Sequence, residues 1–235
     1  MDGEQDDEVM NTLRCSITRT RAGFAALAIL LSLLAGCASG GKTVKPETVV
    51  QTPTVAEGPA VTRLEDGRQG FVIRETPGLD AESRRDFDRA VAMMKEGDFE
   101  RAVELLEKVI EGAPDVTAPY INIAMAYAAT DRPEAAEQHL KTALNMVSEH
   151  PVASNEYGLL LRRSGRFAEA REIYEKALAR FPEYLPARRN LGILCDLYLN
   201  DPACALEQYE IYSEAILDDE QVQVWIADLR MRLGR

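Results

Sequence analysis

A chain of 235 residues is long enough for one helical domain or two small ones. Its composition, 46% hydrophobic but only 6% aromatic, favours a helical protein. The formal net charge is −12, from 27 basic and 39 acidic residues. Nucleic-acid backbones and anionic lipid surfaces select basic proteins, so this balance argues against both as the main ligand.

Residues 1–36 have the layout of an export signal peptide, in which basic residues precede a short apolar run and small residues follow it. The basic residues are Arg14, Arg19 and Arg21. The apolar run, over 25–34, is shorter than the ~20 residues that span a bilayer. Because residues 1–9 are acidic, Met10 fits the start of such a leader better than the first methionine does.

The apolar run ends in Leu34-Ala35-Gly36-Cys37, which resembles the lipobox of bacterial lipoproteins. The resemblance implies that Cys37 is acylated and becomes the mature N-terminus. Two or three acyl chains would anchor the protein stably, because each buried CH₂ group contributes ~0.8 kcal/mol. Ala38 follows the cysteine, and the absence of Asp there implies sorting to the periplasmic face of the outer membrane. The alternative is an ordinary signal peptide with an incidental cysteine.

The segment 37–79 is predicted to be a disordered, flexible linker behind the lipidated cysteine. It is rich in Gly, Thr, Val, Glu and Pro and shows no sustained periodicity, so it cannot bury enough apolar area to offset its ordering entropy. As a flexible coil it would reach ~35–40 Å and hold the folded part off the membrane. The patch Phe71-Val72-Ile73 is apolar enough to dock on another surface.

Residues spaced by 34 match in chemical type over the rest of the chain. Small residues recur in two series, Ala90, Ala124, Gly158 and Gly192, and then Ala102, Ala136, Ala170 and Cys204. A 34-residue period of paired helices is typical of tetratricopeptide repeats (TPR), and the chain resembles that family over about 83–216. The resemblance implies an all-α superhelix over 80–235. Its repeats would lie at about 83–116, 117–150, 151–184 and 185–217.

Paired helices are predicted at 81–96, 99–112, 117–130, 133–147, 151–164, 167–181, 185–199 and 202–217. A capping helix over 219–233 should follow, because Val222, Ile226 and Leu229 lie on one apolar stripe. Stacked repeats need such a helix, with a polar far side. The acidic run 218–220 suits its N-terminus and is interpreted as a cap rather than a calcium or acid–base site.

No pattern in the sequence predicts catalysis. There is no phosphate-binding glycine loop, no Gly-x-Ser-x-Gly motif and no cluster with metal-ligand spacing, so no enzyme activity, metal or cofactor is expected. The histidines, His139 and His150, are expected to be solvated. Cys195 and Cys204 should fall at the facing ends of one hairpin and are predicted to form a disulfide. The alternative for them is a pair of buried small residues.

The resemblance also implies a concave groove lined by the first helix of each repeat, and this groove is the candidate binding site. Its predicted residues are Phe87, Val91, Ile121, Met125, Asn155, Leu159, Arg162, Arg163, Arg189 and Asn190. Apolar side chains at one end and arginines at the other predict a peptide with an apolar part and an acidic or carboxylate end. Two alternatives stay open. The arginines could pair with nearby carboxylates, and the groove could be filled by residues 71–73.

The predicted function is therefore that of an outer-membrane-anchored periplasmic scaffold that binds periplasmic or outer-membrane proteins. In organisation the chain resembles TPR lipoproteins that act as pilotins for type IV pilus secretins, and others that scaffold peptidoglycan hydrolases. The alternative is a structural subunit of an envelope complex, with its groove filled by its own linker.

Cys37→Ala is expected to release the protein from the outer membrane, because the acyl chains on that thiol provide all of the predicted anchoring. Membrane fractionation and metabolic labelling with palmitate measure the effect. The matched control is Cys15→Ala, a change within the leader. Continued partition and labelling of the Cys37 variant would show that the lipoprotein interpretation is wrong.

Overall fold

The computed structural model describes residues 78–235 in full, together with the backbone of two short segments, 60–63 and 71–74. The expected signal peptide, the lipidation site Cys37 and the expected start at Met10 lie outside the described residues. None of the described helices is long and apolar enough to cross a membrane.

Part of the expected linker forms a β-hairpin. Strand β1 (Ala60–Arg63) pairs antiparallel with strand β2 (Phe71–Arg74), and Val61 lies opposite Ile73. The interpretation of the whole of 37–79 as disordered is therefore wrong for these two segments. Both are rich in β-branched or aromatic residues, which favour extended pairing even when the segments are too short to show a period.

Nine α-helices follow within the described residues, and they confirm the all-α helical-hairpin architecture. They are α1 (Ala81–Lys95), α2 (Phe99–Gly112), α3 (Thr117–Ala129), α4 (Pro133–Met146), α5 (Pro151–Arg163), α6 (Phe167–Arg180), α7 (Leu185–Leu197), α8 (Pro202–Ala215) and α9 (Glu220–Arg232). Eight of them form four consecutive hairpins, α1–α2, α3–α4, α5–α6 and α7–α8, and α9 packs on α8.

The helix ends follow from local chemistry. Asp80 begins α1, where its side chain accepts hydrogen bonds of 2.7 and 2.9 Å from two backbone N–H groups of the first turn. The first helix of each hairpin is followed, two or three residues after its end, by a residue in the left-handed region. These residues are Gly97 (φ 81°), Asp131 (φ 57°), Gly165 (φ 74°) and Asn200 (φ 51°).

Small residues let the two helices of a hairpin approach closely. A Cβ atom added to Gly158 would lie 2.5 Å from Cε1 of Tyr174, so the tyrosine ring occupies the space that the glycine leaves. Gly192 and Tyr209 repeat the arrangement, with an added Cβ 2.6 Å from Cδ1 of the ring. Alanines of the same series are fully buried in the first two hairpins. Glycine is thus needed where the second helix carries tyrosine.

The hairpins stack so that their first helices form one layer. Helix α1 contacts α3, α3 contacts α5, and α5 contacts α7, while each second helix packs on the first helix of the following hairpin. Glu137 of α4 links two hairpins through oxygens 2.8 Å from the hydroxyl of Tyr157 and 2.7 Å from a guanidinium nitrogen of Arg166. These hydrogen bonds and the one from Lys141 outweigh burial and lower the pKa of Glu137 to about 2.

Helix α9 closes the stack, as expected. Val222 and Leu229 are fully buried, and Oδ1 of Asp219 caps the helix by accepting a hydrogen bond of 3.1 Å from the backbone N–H of Val222. The far side of α9 is less polar than expected, because Val224 and Met231 are 66% and 77% exposed.

Neither histidine is solvated as predicted. His150 is 1% exposed, and its Nδ1 caps α5 by accepting a hydrogen bond of 3.2 Å from the backbone N–H of Ala153. The hairpin stack encloses this loop, and burial lowers the pKa of His150 to about 4. His139 is half-buried and stacks on Tyr127, with ring centroids 5.5 Å apart.

The stability of the fold is expected to fall between pH 6.5 and about 4 because of His150. The folded protein holds this imidazole neutral, whereas the unfolded chain protonates it near pH 6.5, so acid favours unfolding in that window and has no further effect through this group below it. His150→Asn should remove this component, since asparagine can cap the helix without titrating. Urea unfolding across the window measures it. Burial also lowers the pKa of His139, so His139→Gln is measured alongside to separate the contribution of that residue. Parallel pH profiles for wild type and His150→Asn would contradict the prediction.

Candidate functional site

Four apolar side chains of the first helices are partly exposed along one face of the stack, and two of them also pack against the core. They form the apolar row, which consists of Val91 on α1, Met125 on α3, Leu159 on α5 and Ile193 on α7. Their spacing of 34 places them at the same height in successive hairpins. The structure therefore brings the three predicted residues of this row, Val91, Met125 and Leu159, onto one accessible strip.

Four other predicted groove residues are not accessible. Phe87, Ile121, Asn155 and Asn190 are buried, with exposed fractions of 8%, 3%, 2% and 8%. The amide nitrogen of Asn190 donates a hydrogen bond of 2.9 Å to the side-chain oxygen of Asn155, so this pair joins α5 to α7. The prediction that these residues line the groove is wrong, because their side chains pack between neighbouring helices.

The accessible polar residues lie one position further along the chain. Asp88, Asn122 and Glu156, again spaced by 34, are half-exposed or exposed and form the polar row beside the apolar row. Asn122 donates from its side-chain nitrogen to the backbone oxygen of Ala118 at 2.9 Å, so its amide is partly used within its own helix. Glu156 was missed by the sequence analysis, because a helical period does not distinguish two adjacent positions at the edge of a buried stripe.

Glu156 has an unusual environment for a carboxylate. Its Oε1 accepts a hydrogen bond of 3.0 Å from the side-chain nitrogen of Asn155, and no cation pairs with it in residues 78–235. The residue keeps partial access to solvent, and burial raises the pKa of its carboxyl group to about 6.

The three predicted arginines do not form one cluster facing solvent. Arg189 has its Nε 3.8 Å from Oδ2 of Asp219, and its guanidinium lies 5.4 Å from the ring centroid of Trp225. The guanidinium of Arg162 lies 5.6 Å from the ring of Tyr198. Arg163 is exposed. Arg189 therefore holds α9 against α7. For this arginine the alternative applies, namely that it pairs with a nearby carboxylate.

Two segments of the chain match models of a known repeat family. Tetratricopeptide-repeat family models match residues 93–153 and 151–194, which include the central part of both rows. The chain contains tetratricopeptide repeats. TPR repeats are in general non-catalytic and bind other proteins, so the accessible face of the first helices is the natural candidate for a protein-binding surface.

Solved structures share this TPR architecture. A structure from the functional characterization of Pseudomonas aeruginosa PilF aligns with a TM-score of 0.61 and 24% identity, over 67% of this chain and 71% of that one. A MamA structure aligns with a TM-score of 0.52 and 19% identity, over 66% and 88%. A thermophilic TPR protein of Thermus thermophilus aligns with a TM-score of 0.57 and 21% identity, over 64% and 82%. No curated protein sequence matches the chain.

The fourth TPR hairpin carries a disulfide between Cys195 and Cys204, whose Cα atoms are 5.9 Å apart. Asp201 lies beside the two sulfurs, and its Oδ1 accepts a hydrogen bond of 3.1 Å from the backbone N–H of Cys204. This is a possible three-ligand metal group in the described part of the chain. Because the two sulfurs are bonded to each other, they do not offer the thiolates that a soft metal would need.

Reducing this disulfide is expected to destabilise the TPR domain by about 2–3 kcal/mol, the loss for a closed loop of this short length. Urea unfolding with and without reductant measures it, and the Cys195→Ala, Cys204→Ala double variant should not respond to reductant. Alkylation of the unfolded, unreduced mature protein should leave both residues unmodified. Two alkylated cysteines would show that the bridge is absent in the cell.

Proposed function

We propose that this TPR protein is a lipid-anchored scaffold of the bacterial outer membrane that holds a periplasmic or outer-membrane partner protein along its apolar row. The observation that carries the proposal is the apolar row, in which four side chains at one height remain partly exposed on the face of the first helices. The anchor is the predicted lipid on Cys37.

The apolar row supports binding because covering it would release its hydration. Burial of apolar surface contributes about 25 cal/mol per Å², and accessible apolar side chains grouped on one face of an acidic protein commonly mark an interaction site. Leu159 and Met125 lie at the centre of the row, one on each of two adjacent helices. A partner segment that runs across the first helices would contact both.

The leader and the linker support the envelope location. A lipid on Cys37 and a segment of about 40 residues would let the TPR domain reach partners at some distance from the membrane. Two roles fit this arrangement, a pilotin-like role in pilus secretin assembly and an adaptor role for peptidoglycan enzymes. PilF shares the fold, and a shared fold by itself does not select between the two roles.

Site-specific photo-crosslinking in native cells tests the surface. A photoreactive amino acid at Leu159 or Met125 should form an adduct with one defined protein, to be identified by mass spectrometry. The matched position is Ala168, which is exposed on the second helix α6 and should form none. An adduct with the chain's own residues 60–74 would instead support the alternative, a structural subunit whose groove its own linker fills.

Met125→Asp with Leu159→Asp is expected to reduce partner capture more than tenfold, because two desolvated carboxylates would oppose the apolar contact. Helicity by circular dichroism should hardly change, since both side chains are partly exposed and an aspartate at either position can turn its carboxylate to solvent. Ala168→Asp serves as the control for an added charge. Unchanged capture by the double variant would show that the partner does not bind the face of the first helices.

A further inference from the structure

One carboxylate of the polar row accepts a hydrogen bond but forms no ion pair within the described part of the chain. Glu156 lies one helical turn from Leu159 of the apolar row, on the same face of α5. Its Oε1 accepts a single hydrogen bond, from Asn155, and no described residue donates to its Oε2. Many other carboxylates in the domain form ion pairs. Glu137, for example, has two cationic partners.

A chain of amides fixes this carboxylate in position. Asn190 donates to Asn155 across the gap between α7 and α5, and Asn155 in turn donates to Glu156. Both asparagines are buried, so their side chains have little freedom to move. The hydrogen bond also orients the carboxyl group, because Oε1 is occupied by the amide and Oε2 is left as the available acceptor. Such a network costs stability unless each member is satisfied.

The surroundings of Glu156 contain a second polar group without a partner. The hydroxyl of Tyr174 is buried and has no hydrogen-bond partner among the described residues. Burial raises the pKa of this hydroxyl, the charge of Arg162 lowers it by a smaller amount, and the charge of Glu156 raises it. Arg162 forms no ion pair with Glu156 in the described structure; its guanidinium lies 5.6 Å from the ring centroid of Tyr198, and its Nε is buried without a hydrogen-bond partner. A hydrogen-bond donor on a bound partner would satisfy the remaining acceptor oxygen of the Glu156 carboxylate.

We propose that Glu156 is a recognition site for a cationic group, namely a lysine or arginine side chain of a partner segment whose neighbouring apolar side chains lie on the apolar row. The proposal rests on the proposed function of this surface and names the chemistry of its ligand. It replaces the acidic or carboxylate end expected from the sequence, because Arg189 and Arg162 lie against aromatic rings, whereas Glu156 has no cationic partner among the described residues.

Electrostatics favour a basic ligand over an acidic one. Opposite charges attract more strongly where the surroundings exclude water, and Glu156 is deep enough for burial to act on it. Asp88 of the same row adds negative charge on α1. An acidic segment would meet these carboxylates as well as the net charge of −12 of the whole chain. Of the three predicted arginines, Arg163 is the exposed one, and its positive charge would act against this preference for a basic ligand.

Selection from a random peptide library on the full chain, purified in detergent, tests the proposal. Peptides that bind wild type should be enriched in lysine or arginine beside apolar residues. Glu156→Gln keeps the shape of the side chain and should weaken a selected peptide at least about tenfold, the equivalent of one charge-assisted hydrogen bond. Glu172→Gln, on the exposed side of α6, should leave binding unchanged.

A double-mutant cycle distinguishes the contribution of Glu156 to binding from that of the apolar row. The selected peptide with norleucine in place of its lysine should bind wild type more weakly and lose nothing further on Glu156→Gln. Binding that responds to Met125→Asp with Leu159→Asp, but not to Glu156→Gln, would overturn the cationic site and leave the proposed function standing. If no peptide responds to the apolar-row variant, the proposed function fails, and the cationic site fails with it.

Discussion

Close approach between the two helices of each hairpin is the constraint on which the rest of this structure depends. In the third and fourth hairpins a tyrosine ring fills the space above a glycine, and in the first two an alanine occupies the same position. A larger side chain there would force the helices apart, and overpacking of a dense core typically costs about 1–3 kcal/mol. The register of these small residues also sets which side of each first helix meets its partner, and so which side remains for solvent.

Contacts between hairpins include several polar links, and this explains why so many expected groove residues are structural. Glu137 joins the second hairpin to the third, the Asn155–Asn190 pair joins the third to the fourth, and Arg189 joins the fourth to α9. Each of these links uses a side chain at the edge of the buried stripe. The accessible face is consequently narrower than a helical wheel suggests, and it includes the apolar row and the polar row beside it.

Two rows of different character on one face give the domain a means of discrimination. Apolar contact along the first row would supply affinity with little sequence preference, because it is non-directional. A fixed charge in the second row would supply specificity, because a ligand of the wrong sign would leave a desolvated carboxylate unpaired. The amide chain behind Glu156 matters in this scheme, since a charge that cannot move away discriminates better than one on a flexible surface side chain.

The sequence by itself determined the repeat, the helices and the cap. Small residues at a spacing of 34 and the apolar stripe of α9 are local patterns, and helix boundaries follow from turn and capping residues that act within a few positions. Only the tertiary structure decided the burial of His150, the strand pairing of 60–63 with 71–74, and the division of the first helices into packed and accessible sides. Adjacent positions such as Asn155 and Glu156 differ by about 100° around a helix. Which of them meets a neighbour depends on the angle at which hairpins stack, and that angle is set by contacts between residues far apart in the chain.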